Sequence, residues 1–137
     1  MTAGDAPLAL SDLTECFEGI IPAVIATASA AGVPNVTHLS RVHYVDDEHV
    51  ALSNQFFSKT VRNLSENPRA CAAVFDPNTL DSYKLVLQYE RTERRGPIFE
   101  RLRRDVDAVA ALTGMQDVFK LRSADVYRVV ELTHVTP

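Results

Sequence analysis

Ser58, Lys59 and Thr60 follow one another where a strand gives way to a helix, and of all the residues in the chain they are best placed to do chemistry. The stretch 53–68 reads as a strand end, a short loop and a short helix that Pro68 closes. A helix start presents unpaired backbone N–H groups and the positive end of the peptide dipole. A hydroxyl, a cation and a second hydroxyl at that point make a seat for a phosphate or another anion. Ser58 also serves as a plain N-cap, with Lys59 and Thr60 turned to solvent. On local sequence alone that reading is preferred, because serine leads the N-cap ranking.

The rival constellations are poorer. His38 and His43 share one strand at an odd spacing and so face opposite ways, which does not suit a metal pair. His43, His49 and His134 read as ordinary strand histidines. His38 shares a face with Ser40 and, taken alone, reads as structural. No serine stands in a G-x-S-x-G elbow. Cys16 and Cys71 lie far apart, outside any C-x-x-C, and read as free buried thiols; no metal-ligand spacing is present. Asp46 and Asp47 adjoin in a turn, where solubility accounts for them. The few glycines form no nucleotide-binding pattern. Arg91, Arg94, Arg95, Arg101, Arg103 and Arg104 make a basic run, but Glu90, Glu93, Glu100, Asp105 and Asp107 interleave with it, so it reads as a solvated surface.

Bulk properties narrow the class. A net charge of −4 argues against a general nucleic-acid binder. With 46% hydrophobic and 23% charged residues over 137 positions, the chain suits one globular domain with one core. No apolar run is long enough to span a bilayer, and residues 1–10 lack the pattern of a signal peptide. The expected compartment is therefore cytoplasmic.

The elements that must position Ser58–Thr60 follow from periodicity and turn chemistry. Residues 1–10 are expected to be a flexible N-terminus, and 11–137 a single domain. A short helix runs from about Ser11 to Glu18, ended by Gly19. Residues 22–29 read as a buried strand, followed by a turn at 30–34. Asn35 to Val45 reads as one long second strand, with Val36, His38, Ser40, Val42 and Tyr44 on one face. Residues 49–54 return as a third strand after the acidic turn Asp46–Glu48. The helix from Ser58 to about Asn67 follows, with Val61 and Leu64 as its apolar stripe. Residues 69–76 make a fourth strand. Ser82–Thr92 makes a fifth, where Tyr83, Leu85, Leu87 and Tyr89 alternate with polar neighbours in the clearest period-2 pattern of the chain. Gly96-Pro97 opens the longest helix, to about Leu112, with Leu102, Val106, Val109 and Leu112 near one face. Residues 117–121 and 124–132 supply the closing strand or strands. Parallel βαβ repeats are absent. The order predicts a mainly β (α+β) domain: a mostly antiparallel closed or split barrel of six or more strands, with helices outside.

At this point the chain resembles a known family, the FMN-binding split-barrel proteins related to pyridoxamine 5′-phosphate oxidase. The resemblance spans roughly Pro22 to Pro77. It is carried by Ala26-Thr27 with Gly32 and Pro34, by the strand His49–Asn54, and above all by Ser58-Lys59-Thr60-Val61-Arg62-Asn63-Leu64-Ser65-Glu66-Asn67-Pro68-Arg69-Ala70. The order and spacing of the pieces are more specific than any one of them. The resemblance implies a homodimer of six-stranded split barrels that binds FMN in a cleft at the subunit interface, and a flavin-dependent oxidoreductase activity. The family's phosphate-binding positions match Ser58, Lys59 and Thr60. The strand lining the flavin matches Ser53, Asn54 and Gln55. The positions passing along the isoalloxazine match Thr37, His38 and Leu39, with Ser40 and Arg41 less securely placed. The anion seat read from the residues and the family's phosphate site thus coincide.

Departures qualify the resemblance. The Arg-rich substrate motif of true pyridoxamine phosphate oxidases does not appear after the last strand, so pyridoxamine phosphate is not the expected substrate. Lys59 stands where an arginine is usual, which keeps the charge and loses the bidentate fork. Relatives of this build include coenzyme F420 users, haem-degrading proteins and flavin reductases. A non-catalytic flavin-binding or sensor module is the alternative to an enzyme.

Overall fold

Seven strands hydrogen-bond into one antiparallel sheet in the computed structural model, which describes residues 8–54, 58–115 and 120–135. They are β1 (Ala23–Ala28), β2 (Pro34–Leu39), β3 (His43–Tyr44), β4 (His49–Asn54), β5 (Arg69–Phe75), β6 (Ser82–Glu93) and β7 (Ser123–Val135). Helix α1 (Ser58–Glu66) lies between β4 and β5, and α2 (Pro97–Thr113) between β6 and β7. The sheet order is β2-β1-β5-β6-β7-β4-β3. This is one strand more than the six that the family resemblance implies, and the long second strand is split in two. Residues 35–45 do not form a single strand: β2 ends at Leu39 and β3 begins at His43, on the opposite edge of the sheet.

That split dictates the shape. Seven strands laid flat would hold their edges about 29 Å apart. The chain from Leu39 to His43 can stretch only about 14 Å. The sheet must therefore curl until β2 and β3 come near each other, which makes a split barrel. The crossing also resets the alternation, so Val42 and His43 are buried in succession, at 0% and 3% exposure. Gly19 makes room for the crossing. Its φ is +78°, and a Cβ there would sit 3.0 Å from the Ser40 carbonyl oxygen and from the Arg41 Cβ.

The inner face holds the main core. Ile25, Leu52, Ala72, Val74, Leu85 and Leu87 are all buried there, and the alternation of β6 is as the sequence predicts. One barrel end is plugged by a 3-10 helix, Leu10–Phe17, which drives Leu10, Leu13 and Phe17 into this core. Leu10 is thus part of the packed domain rather than of a free tail. The other end is closed by α1. Outside the barrel, α2 lies over β4 and β7 and forms a second cluster of Leu102 with Ala51, Ala124 and Val126. Its buried residues are Leu102, Val106 and Ala110, whereas Val109 and Leu112 are 46% and 87% exposed. The apolar face read from the sequence is therefore rotated, with Ala110 packed in place of Leu112. Val86–Leu87 and Tyr89–Arg91 mark two register shifts between β6 and β7. The described residues form one closing strand, from Ser123; residues 120–122 are not in a strand, and most of the expected 117–121 strand lies outside the described residues.

Candidate functional site

Helix α1 is seated by polar side chains as well as apolar ones. Thr60, Asn63 and Leu64 are buried at 3%, 8% and 8%. Asn63 donates its Nδ2–H to the Thr27 Oγ1 of β1 over 3.1 Å. Val61, half of the predicted apolar stripe, is 45% exposed. The helix thus rotates toward the barrel on its T-x-x-N-L face, because the buried Thr27 hydroxyl needs a partner. The first-turn N–H groups of Ser58, Lys59 and Thr60 lack intrahelical acceptors by the geometry of any helix start.

Of the predicted set, Ser53 and Asn54 end β4, and Ser58, Lys59 and Thr60 open α1. Ser53 is buried at 6% on the outer face of β4 with Ala51, and Asn54 continues the inner face of Val50 and Leu52. Gln55 lies outside the described residues. Thr37, His38 and Leu39 sit on β2, opposite Ile25, Val24 and Ala23. Leu39 is buried in the core and Thr37 shares its inward face, so of the three only His38 presents an exposed side chain.

A cleft of about 180 Å³ that no sequence motif announces opens at the α1 end of the barrel. Val61, Leu64 and Ser65 form its helical side, and Asn54 and Arg94 complete it. Its floor is a polar network of Tyr89, Thr92, Ser123 and Asp125. Thr92 Oγ1 donates to Asp125 Oδ1 over 2.9 Å, and Ser123 Oγ donates to the same oxygen over 3.2 Å. The Thr92 proton is committed to Asp125, so Tyr89, bonded to Thr92 Oγ1, is the donor in that pair. The donors thus converge on one carboxylate oxygen. Burial raises the Asp125 pKa, while the two hydroxyls and Arg94 oppose that rise. The β-bulge at Glu90 makes the network possible. Strict alternation puts Thr92 on the face opposite Tyr89, and the register shift turns both inward. A lone Asp among apolar residues at Ala124-Asp125-Val126 is the one signal of this network in the sequence.

Two histidines carry opposite electrostatics. His43 stands on β3 beside Asp105 of α2, and burial, with Arg41 and Arg101 nearby, pushes its pKa down to about 3. Its Nδ1 is 3.4 Å from Asp105 Oδ2 but makes no hydrogen bond. The half-exposed carboxylate does not offset the burial of the ring, so His43 is neutral. His49 is held between Asp46 Oδ1 at 2.8 Å and Glu90 Oε1 at 2.9 Å. The hydrogen bond to Asp46 is the main cause of its raised pKa. Neither Cys16 nor Cys71 is disulfide-bonded, and burial raises both thiol pKa values. Among the described residues no His, Cys, Asp and Glu group is arranged to hold a metal ion. No described helix is long and apolar enough to cross a membrane.

A curled antiparallel sheet, plugged at one end and closed at the other by a helix that starts where a strand stops, defines the split-barrel class. The chain belongs to the pyridoxamine 5′-phosphate oxidase family, whose model matches residues 11–129. No curated protein sequence matches it significantly. Solved structures share the fold at low identity. An FMN-binding protein from Syntrophomonas wolfei subsp. wolfei is 16% identical with a TM-score of 0.76, covering 90% of this chain and 83% of its own. An F420 reductase is 17% identical with a TM-score of 0.63, covering 93% and 98%. HutZ, the haem storage protein from Vibrio cholerae, is 15% identical with a TM-score of 0.60, covering 91% and 93%.

Proposed function

We propose that this protein is an FMN-dependent oxidoreductase that works as a homodimer. The observation that carries the reading is the start of α1 at Ser58, soon after β4 ends at Asn54, inside the stretch that matches the family. The donor set fits the cofactor: backbone N–H groups at a helix start, a serine and a lysine suit a phosphate dianion. In this reading Ser58 and Lys59 hold the phosphate. Thr60, whose side chain faces the barrel, contributes its backbone N–H. Ser53, Asn54 and Gln55 line the cofactor, and His38 is the side chain of β2 that reaches it, while Thr37 and Leu39 offer edge-strand backbone.

When bound, FMN supplies the hydride or electron chemistry. The protein's residues bind, orient and exclude water. No side chain is assigned as a general acid or base. The dimer is supported by an uncovered outer face. Val24, Ala26, Cys71, Ala73 and Val86 lie half-buried there, and Val36 beside them is 60% exposed. The same seat and edge strands would also suit F420, and the F420 reductase among the structural neighbours makes that the second reading.

The visible spectrum of the purified protein tests the proposal. A flavin spectrum, recovered on adding FMN and bleached by NADPH or NADH, supports it. Protein that takes up no FMN on titration overturns it, and tighter uptake of F420 than of FMN selects the second reading.

A further inference from the structure

We propose that the cleft between α1 and the ends of β6 and β7 is a binding site for the carboxamide or cyclic-amide edge of a small planar molecule. The inference goes beyond the flavin reading and does not rest on it. Asp125 is 7% exposed, yet it lines the cleft. Its Oδ1 is fully engaged by Thr92 and Ser123. Among the described residues no donor reaches Oδ2. The free oxygen faces the cleft, where an occupant's donor can take the place of water.

The second polar wall has the opposite character. Arg94 is a donor only, and the carboxylate is an acceptor only. An occupant that satisfies both presents an N–H beside a C=O, which is the edge of a primary or cyclic amide. A carboxylate ligand would meet Asp125 with like charge, and an amidinium would meet Arg94 with like charge. Val61, Leu64 and the Tyr89 ring give apolar surface for a flat ring. The volume of about 180 Å³ admits one ring with its substituent.

Titration with benzamide, followed by protein-observed NMR on the flavin-free chain, tests this. Wild type is expected to bind benzamide and to bind benzoate weaker by about tenfold or more, the effect of one unpaired or repelled polar group. Asp125→Asn, which keeps the shape and removes the acceptor oxygen, is expected to lose that preference. Val61→Trp changes a half-exposed helix position and is expected to block the cleft without touching the network. It keeps the test decisive if Asp125→Asn fails to fold. The proposal is overturned if wild type shows no benzamide binding at millimolar concentration, if benzoate binds as well, or if Val61→Trp leaves binding unchanged.

Discussion

Asn63 and Thr27 join helix α1 to strand β1 through one buried hydrogen bond of 3.1 Å. They are 36 residues apart in sequence, so the bond is what turns a local helix into a lid on the barrel end. Removing one partner strands the other. We predict that Asn63→Ala costs about 1–3 kcal/mol in urea unfolding, the desolvation penalty of an orphaned buried hydroxyl. The pair Asn63→Leu with Thr27→Val is expected to recover most of that loss.

Rotation of α2 makes a sharp contrast testable. Leu102 is 0% exposed and Leu112 is 87% exposed, although both belong to one apolar series in the sequence. Leu102→Ala is expected to cost about 2–5 kcal/mol. Leu112→Ala is expected to change stability by no more than about 0.5 kcal/mol. Equal costs would contradict the observed seating of the helix.

Stability is expected to fall on both sides of a middle pH, with a different histidine responsible on each side. His43 has a lowered folded pKa, about 3 against 6.5. Its neutral form is favoured by folding, so its contribution is present above pH 6.5 and is lost as pH falls toward 3, at about 1.4 kcal/mol per pH unit at most. His49 has a raised pKa. Its contribution is complete below pH 6.5 and is lost as pH rises through the folded value. His43→Leu is therefore expected to flatten the acid limb of a stability profile, and His49→Gln the limb just above neutrality. Thermal melts from about pH 4 to about pH 9 measure both.

Much of the fold can be read from the chain because local patterns agree with burial there. Tyr83, Leu85, Leu87 and Tyr89 alternate because β6 has one wet and one dry face. The Ser58–Pro68 helix is bounded by an N-cap type and a proline. The break at Ser40–Val42 is not legible, since no glycine or proline marks it. Only the three-dimensional need to carry the chain from one sheet edge to the other imposes it. The site is half legible for the same reason. Ser58–Thr60 are adjacent in sequence, whereas Thr92, Ser123 and Asp125 meet only through a bulge and a cross-strand pairing. Asn63 is polar in type, yet it is buried, where it partners the Thr27 hydroxyl.

The start of α1 as the phosphate seat is tested most directly by an FMN titration of wild type and of the double variant Ser58→Ala, Lys59→Ala. The variant is expected to bind FMN weaker by about 2–4 kcal/mol, from about 1–2 kcal/mol for each charge-assisted hydrogen bond removed, with its fold unchanged by circular dichroism. An affinity equal to that of wild type would contradict the assignment and put the phosphate elsewhere.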